Sequence, residues 1–241
     1  MSTTESTRRA DVPQLRLPRQ VAAPDGPVDV TMMYVMHHAF RRDLVMFAEA
    51  AAATPATDRV TWSALAKRWA VFSEILHHHH SGEDAGLWPW LMRVATEDEQ
   101  ATLEEMEAEH EQIDPILRDC ARGFERVTTS DDARAAAYLA ERLAAARDTL
   151  LAHMGHEETD AMALVQTYMT QDDWDQVVEA NFDKKVEPRL LLAAVPWIAY
   201  ELPRPVVDRL LAEAGAPMKL VHLATRRRFE RLQERATRYV A

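Results

Sequence analysis

The chain of 241 residues has one cysteine, six glycines and fewer basic than acidic side chains, 28 Lys and Arg against 39 Asp and Glu. A single cysteine excludes a disulfide scaffold and a cysteine-ligated zinc site. Cys120 instead falls on an apolar helical stripe and reads as a small packed hydrophobe. No stretch approaches the roughly 18 consecutive apolar residues of a membrane helix. The net charge of -11 argues against nucleic acid and anionic membrane as partners, because both select clustered Lys and Arg. Arg8 and Arg9 are followed by no apolar run, so no export signal is read there and a cytoplasmic protein is expected. What remains, at 47% hydrophobic residues, is an acidic chain able to bury a full core.

Histidine and glutamate carry the positive signal. His37 is followed 42 residues later by His79 with Glu83, and His110 is followed 43 residues later by His153 with Glu157. Each pair is His-x-x-x-Glu, a spacing that stacks two side chains on one face of a helix. The apolar stripes show which face that is. Met33, His37, Phe40, Leu44 and Phe47 share one stripe, and Leu65, Trp69, Phe72, Leu76, His79 and Glu83 a second. Leu103, Met106, His110, Ile113, Leu117, Cys120 and Phe124 form a third, and Leu139, Leu143, Ala146, Leu150, His153 and Glu157 a fourth. Four histidines and two glutamates therefore occupy core positions of four helices. Buried carboxylates are costly unless paired or ligated, and a multivalent cation would supply the missing charge. A hydrogen-bonded polar core without metal is the competing explanation, and the matched repeat disfavours it.

These stripes predict an all-α fold, an up-down-up-down four-helix bundle with short additional C-terminal helices. The expected organisation is a flexible arm over 1–27, the bundle over 28–168 and a helical extension over 169–241. Pro55 ends the first helix, Thr96 with Glu99 forms a capping box for the third, and Ser130 or Asp131 is placed to cap the fourth. Gly82, Gly86 and Pro89 should end or bend the second helix just past Glu83, and Pro115 implies a kink beyond His110. Thr170 caps a short segment, Pro188, Pro196, Pro203 and Pro205 divide the following chain, and a last helix from about Ala216 carries Arg226, Arg227, Arg228 and Arg231. That cluster reads as a solvated face, with a docking surface for a protein partner as the alternative.

With these residues in hand, the chain resembles the hemerythrin-like (HHE cation-binding) family. The strings HHAFRRDL, HHHHSGEDAGLWPWL, EHEQI and HMGHEE carry the resemblance in order and spacing. It implies a non-haem di-iron centre with an oxo or hydroxo bridge, in which His37, His79, His110 and His153 are terminal ligands and Glu83 and Glu157 bridge the two iron ions. Oxygen-carrying members supply two histidines four apart from the third helix, whereas Met106 and Asp114 flank His110 here. His156, Asp114 and Tyr34 are the candidates for the missing ligand. Within the run His77 to His80, helical register selects His79 and leaves His77, His78 and His80 at the surface or behind the ligands. His38 has the same status, at the surface or behind the ligands, and His222 reads as structural or exposed. A centre with few protein ligands favours reaction with dioxygen, hydrogen peroxide or nitric oxide, and the alternative is a non-enzymatic sensor or store of oxygen or iron.

Overall fold

The computed structural model describes residues 11–183 and 187–240. Arg8, Arg9 and the first ten residues of the expected arm lie outside the described residues. Among those described there is no strand, only one isolated bridge between Val12 and Gly26.

Four helices form the bundle. α1 spans Thr31–Ala53 and stops before Pro55, as expected. α2 starts at Arg59 behind Asp58, whose carboxylate accepts the amides of Val60 and Thr61. It runs to Gly82, passes through a π-helical turn at Glu83–Leu87 and ends with Trp88–Met92. The glycines and Pro89 therefore do not terminate it at Glu83. Their room is needed for another reason: a Cβ on Gly82 would meet the Phe182 ring at 2.6 Å, and one on Gly86 would strike Asn181. α3, Glu97–Thr129, opens on the Thr96–Glu99 capping box and continues through Pro115. α4, Ala133–His156, is capped by Asp132 rather than by Ser130 or Asp131, a shift of one residue. It too enters a π turn, Glu157–Ala161, before a last stretch, Met162–Tyr168.

Each bundle helix packs against two others, α1 against α2 and α4, and α3 against α2 and α4. Two apolar layers fill the interior. One contains Phe40, Phe47, Trp69, Phe72 and Phe124, the other Tyr34, Leu87, Trp88, Met106 and Met162. His37 falls between Tyr34 and Phe40 in sequence, so the polar residues are held between the layers.

From Asp11 the N-terminal segment is packed rather than loose. It has no helical period because it is irregular and folds back on itself, Val12 bridging Gly26, and it anchors through single residues: Leu17, Val28 and Val30 are buried, and the Val21 amide donates to Glu158. Beyond the bundle come α5 (Gln171–Val178), which packs on the π turn Glu83–Leu87, α6 (Pro188–Ala199), which packs over α1 and α2, α7 (Arg204–Glu213), which packs on α8, and α8 (Gly215–Ala236), which packs on α2 and α6. Arg226, Arg227, Arg228 and Arg231 are all exposed on α8.

A buried hub fastens this extension. Asp43 of α1 is fully buried: both its oxygens accept from Arg68 Nη2 of α2, at 2.8 and 2.9 Å, Oδ1 also accepts from the adjacent Arg42 at 2.8 and 2.9 Å, and Oδ2 accepts the Trp197 indole N–H of α6 at 2.8 Å. Arg68 also donates to Gln233 of α8 at 2.9 Å, so four helices meet at this buried charge cluster. Removing one partner of a buried ion pair leaves the other charge buried and uncompensated. Asp43→Ala should therefore lower unfolding free energy by about 3–5 kcal/mol in denaturant titration. A change within experimental scatter would show the hub to be dispensable.

Candidate metal centre

Two groups of ligand-type atoms lie midway along the bundle. His37, His79, Glu83 and Glu157 form one, their ligand atoms all within 4.8 Å of one another, and His80, His110 and His153 form the other. All seven residues are buried. The groups adjoin through the carboxylates: Glu83 Oε1 is 3.0 Å from His79 and its Oε2 3.7 Å from His110, while Glu157 Oε2 is 3.1 Å from His37 and 3.9 Å from His153. The six residues singled out in the sequence are thus brought together.

His80 is the addition, and it corrects the expectation that it would lie at the surface or behind the ligands. Residues 79 and 80 are about 100° apart around the helix, but α2 faces two neighbours and sends one imidazole to each. His79 meets His37 of α1, Nε2 to Nε2 at 3.4 Å, and His80 stacks on His110 of α3 with ring centroids 4.0 Å apart. His77 is exposed, and His78 is half-buried and bonded to the Phe182 carbonyl at 2.6 Å. Of the earlier candidates for an extra ligand, His156 is turned to Glu109 at 3.0 Å and Asp114 is exposed beside Arg118. The Tyr34 hydroxyl is buried without a hydrogen-bond partner, but Tyr34 belongs to the apolar layer.

The acidic residue after each glutamate has a job that sequence reasoning missed. Asp84 accepts from His110 Nδ1 at 2.7 Å, and Glu158 lies 3.0 Å from His37 Nδ1. Each half of the repeat therefore orients the first histidine of the other half, leaving Nε2 of His37 and His110 directed at the cluster. Glu109 holds His153 Nδ1 in the same way at 2.7 Å. Such partners set ring orientation and tautomer and raise imidazole basicity. The signal was present as ED and EE in the two repeated strings. Both glutamates also begin their π turns, and in both the amide points back to two carbonyls, those of His79 and His80 or of His153 and Met154. A π turn widens the helix locally, a distortion frequent at functional sites.

The polar accounting supports a cation here. All four carboxylate oxygens of Glu83 and Glu157 are buried without a hydrogen-bond partner, because the nearby imidazole nitrogens are close but not aligned for one. A self-contained hydrogen-bonded core would have satisfied them. Without a cation the charges separate unevenly. Burial pushes the His79 imidazole down to about 3 and His80 well below the ordinary histidine range. Burial acts on His37 as well, but Glu157 and Glu158 outweigh it and raise His37 to about 9. Burial, then the neighbouring Glu157, drives the Glu83 carboxyl well above the usual range, whereas His37 and its neighbours overcome burial to hold Glu157 below it. Nitrogen and carboxylate donors together suit first-row transition ions.

The family model of the hemerythrin HHE cation-binding domain matches residues 28–165. Neither the curated proteins nor the solved structures give a match.

The elevated His37 value makes a pH prediction for the metal-free chain. Its folded value lies above the ordinary 6.5, so the stability it contributes is complete below about pH 6.5 and is lost as pH rises through about 9. His79 and His80 titrate below that window, and the raised Glu83 acts in the same direction as His37. Urea denaturation should show stability falling across the window by up to about 3 kcal/mol, and His37→Gln should flatten the curve. A wild-type curve that is already flat would remove the buried ion pair.

Proposed function

Because the chain belongs to the hemerythrin HHE cation-binding domain family, we propose that its bundle, residues 28–168, holds two iron ions and that the loaded centre binds and reacts with dioxygen, hydrogen peroxide or nitric oxide. In this reading His37 and His79 serve one ion, His80, His110 and His153 the other, and Glu83 and Glu157 bridge them. The observation that carries it is the set of four buried carboxylate oxygens without hydrogen-bond partners, placed between two groups of imidazoles. Iron bound there supplies exchangeable coordination positions and a one-electron change of oxidation state.

The chain's own part is positioning and exclusion of water. Asp84, Glu158 and Glu109 hold three imidazoles by Nδ1, so Nε2 is the atom offered to the cluster. Arg41 donates to Glu158 at 2.5 Å and neutralises a carboxylate that is itself fully buried. Phe40, Leu76, Met106 and Leu150 are all buried around the site, and the Phe40 ring lies 5.3 Å from that of His79. A dry surround of this kind keeps water from competing for open positions.

A second reading, a sensor or store of oxygen or iron without turnover, draws on the contact between site and extension. The Phe182 ring is 6.2 Å from that of His79, and His78 bonds the Phe182 carbonyl. Residues 169–241 would then answer the state of the centre. Peroxide turnover by the iron-loaded protein separates the two.

Metal analysis after ferrous reconstitution should give two irons per chain, with near-ultraviolet charge-transfer absorption. Glu83→Ala combined with Glu157→Ala should abolish that loading, and unchanged metal content would refute the bridging roles. Asp84→Asn should weaken iron binding by roughly 10–100-fold through misorientation of His110 while leaving the metal-free denaturation midpoint near wild type.

A further inference from the structure

Between the bundle and the C-terminal helices lies a cavity of about 440 Å³ that the reading above does not use. Met33 and Met36 of α1, Ile75 and His79 of α2, and Leu190 and Ala194 of α6 form much of its wall. No Asp, Glu, Lys or Arg among the described residues lines it. Its one half-buried imidazole, His78, is already committed to the Phe182 carbonyl at 2.6 Å. Among the described residues an ion would find no countercharge here and a polar ligand almost no partner, so the described lining favours an uncharged, apolar occupant.

Size and plasticity narrow the class. A dry cavity of about 150 Å³ accommodates benzene, so this one has room for a fused or linked pair of aromatic rings or an alkyl chain of similar bulk. Thioether side chains adapt to such shapes, and methionines supply much of the α1 wall. A second cavity of about 490 Å³ shares Met32, Trp174, Val178, Ile198 and Ala214 as a common wall, and Met32 is 46% exposed, which marks a way in from the surface. At the inner end the wall is His79 itself, a member of the buried His and Glu cluster.

We propose that this chamber is a binding site for an uncharged apolar organic molecule of about two-ring size, held between α1, α2 and α6 with one edge against His79. The site is built jointly by bundle and extension, which gives residues 169–241 a role in ligand binding. It depends on the cavity alone and stands whether or not the iron assignment does.

The test uses the full chain and the neutral fluorophore N-phenyl-1-naphthylamine, which is dark in water and bright in apolar surroundings. Titration should give saturable one-to-one enhancement. Ala194→Trp, which fills the chamber from α6, should weaken it by at least roughly tenfold, while Leu211→Trp, which lines only the outer cavity, should leave it near wild type. A second measurement on the wild-type chain without added metal, labelled at methionine methyls, guards against a misfolded variant. Met33 and Met36 resonances should shift with the probe, and Met106 and Met162, which lie in the apolar layer of the bundle, should not. Absence of saturable enhancement, or binding that leaves Met33 and Met36 unmoved, would overturn the proposal. Neither readout depends on iron, so this inference and the iron assignment fail separately.

Discussion

Two carboxylates buried without hydrogen-bond partners are the constraint around which the bundle is arranged. A charge moved from water into protein loses several kcal/mol even after relaxation, and Glu83 and Glu157 are both fully buried within one cluster. Nothing apolar offsets that. The compensation is local and ionic: five imidazoles surround the pair, and a further set of carboxylates, Asp84, Glu109 and Glu158, fixes three of those rings from behind. Polar groups that must all be satisfied at once tolerate little displacement. The apolar layers on either side, anchored by Phe40 and Phe72 below and by Met106 and Met162 above, hold the four helices to that tolerance.

The second constraint is the join between bundle and extension. Asp43 reaches Arg42, Arg68 and Trp197, Arg68 reaches Gln233 and stacks over Phe229 at 4.3 Å, and Arg42 donates to the Trp197 carbonyl, so one buried carboxylate and its two guanidinium partners link α1 and α2 to α6 and α8. The same helices carry His37 and His79. Movement of the extension against the bundle would have to break these buried charged contacts. Gly82 and Gly86 belong to the same design, since any side chain there would collide with Phe182 or Asn181 of the covering segment.

Much of this was legible in the sequence because helical period and ligand chemistry wrote the same residues twice. The apolar stripes through His37, His79, His110 and His153 predicted four helices and their inward faces, and the bundle has them. The family match over residues 28–165 agrees with the resemblance those strings carried. Three things were not legible, each for a physical reason. His80 was hidden because a single inward stripe was assigned to a helix that faces two neighbours, and its counterpart in the second half is Met154, which breaks the repeat. The packed N-terminal segment was hidden because an irregular chain that buries isolated residues such as Leu17 and Val28 has no period to read. The π turns at Glu83 and Glu157 were hidden because glycine and proline after Glu83 signal an ending, while backbone and tertiary contacts carry the helix onward.

The broken repeat has a chemical consequence. If both halves were alike, the two groups of buried imidazoles and carboxylates would sit in equal surroundings. Instead, His110 and His153 are backed by Asp84 and Glu109, whose side chains are 37% and 31% exposed, so solvent screens the charges behind that group. His37 is backed by Glu158 and Arg41, both essentially excluded from solvent, and His79 borders the apolar chamber of the extension. Electrostatic interactions are stronger on this second side, where the local dielectric is low. The Met154 position thus removes an imidazole from the half whose glutamate is held anionic, and His80 adds one to the half that faces α3. Two halves of matched His and Glu spacing thereby place their buried imidazoles and glutamates in unequal surroundings, one group backed by partly exposed carboxylates and the other by fully buried charges.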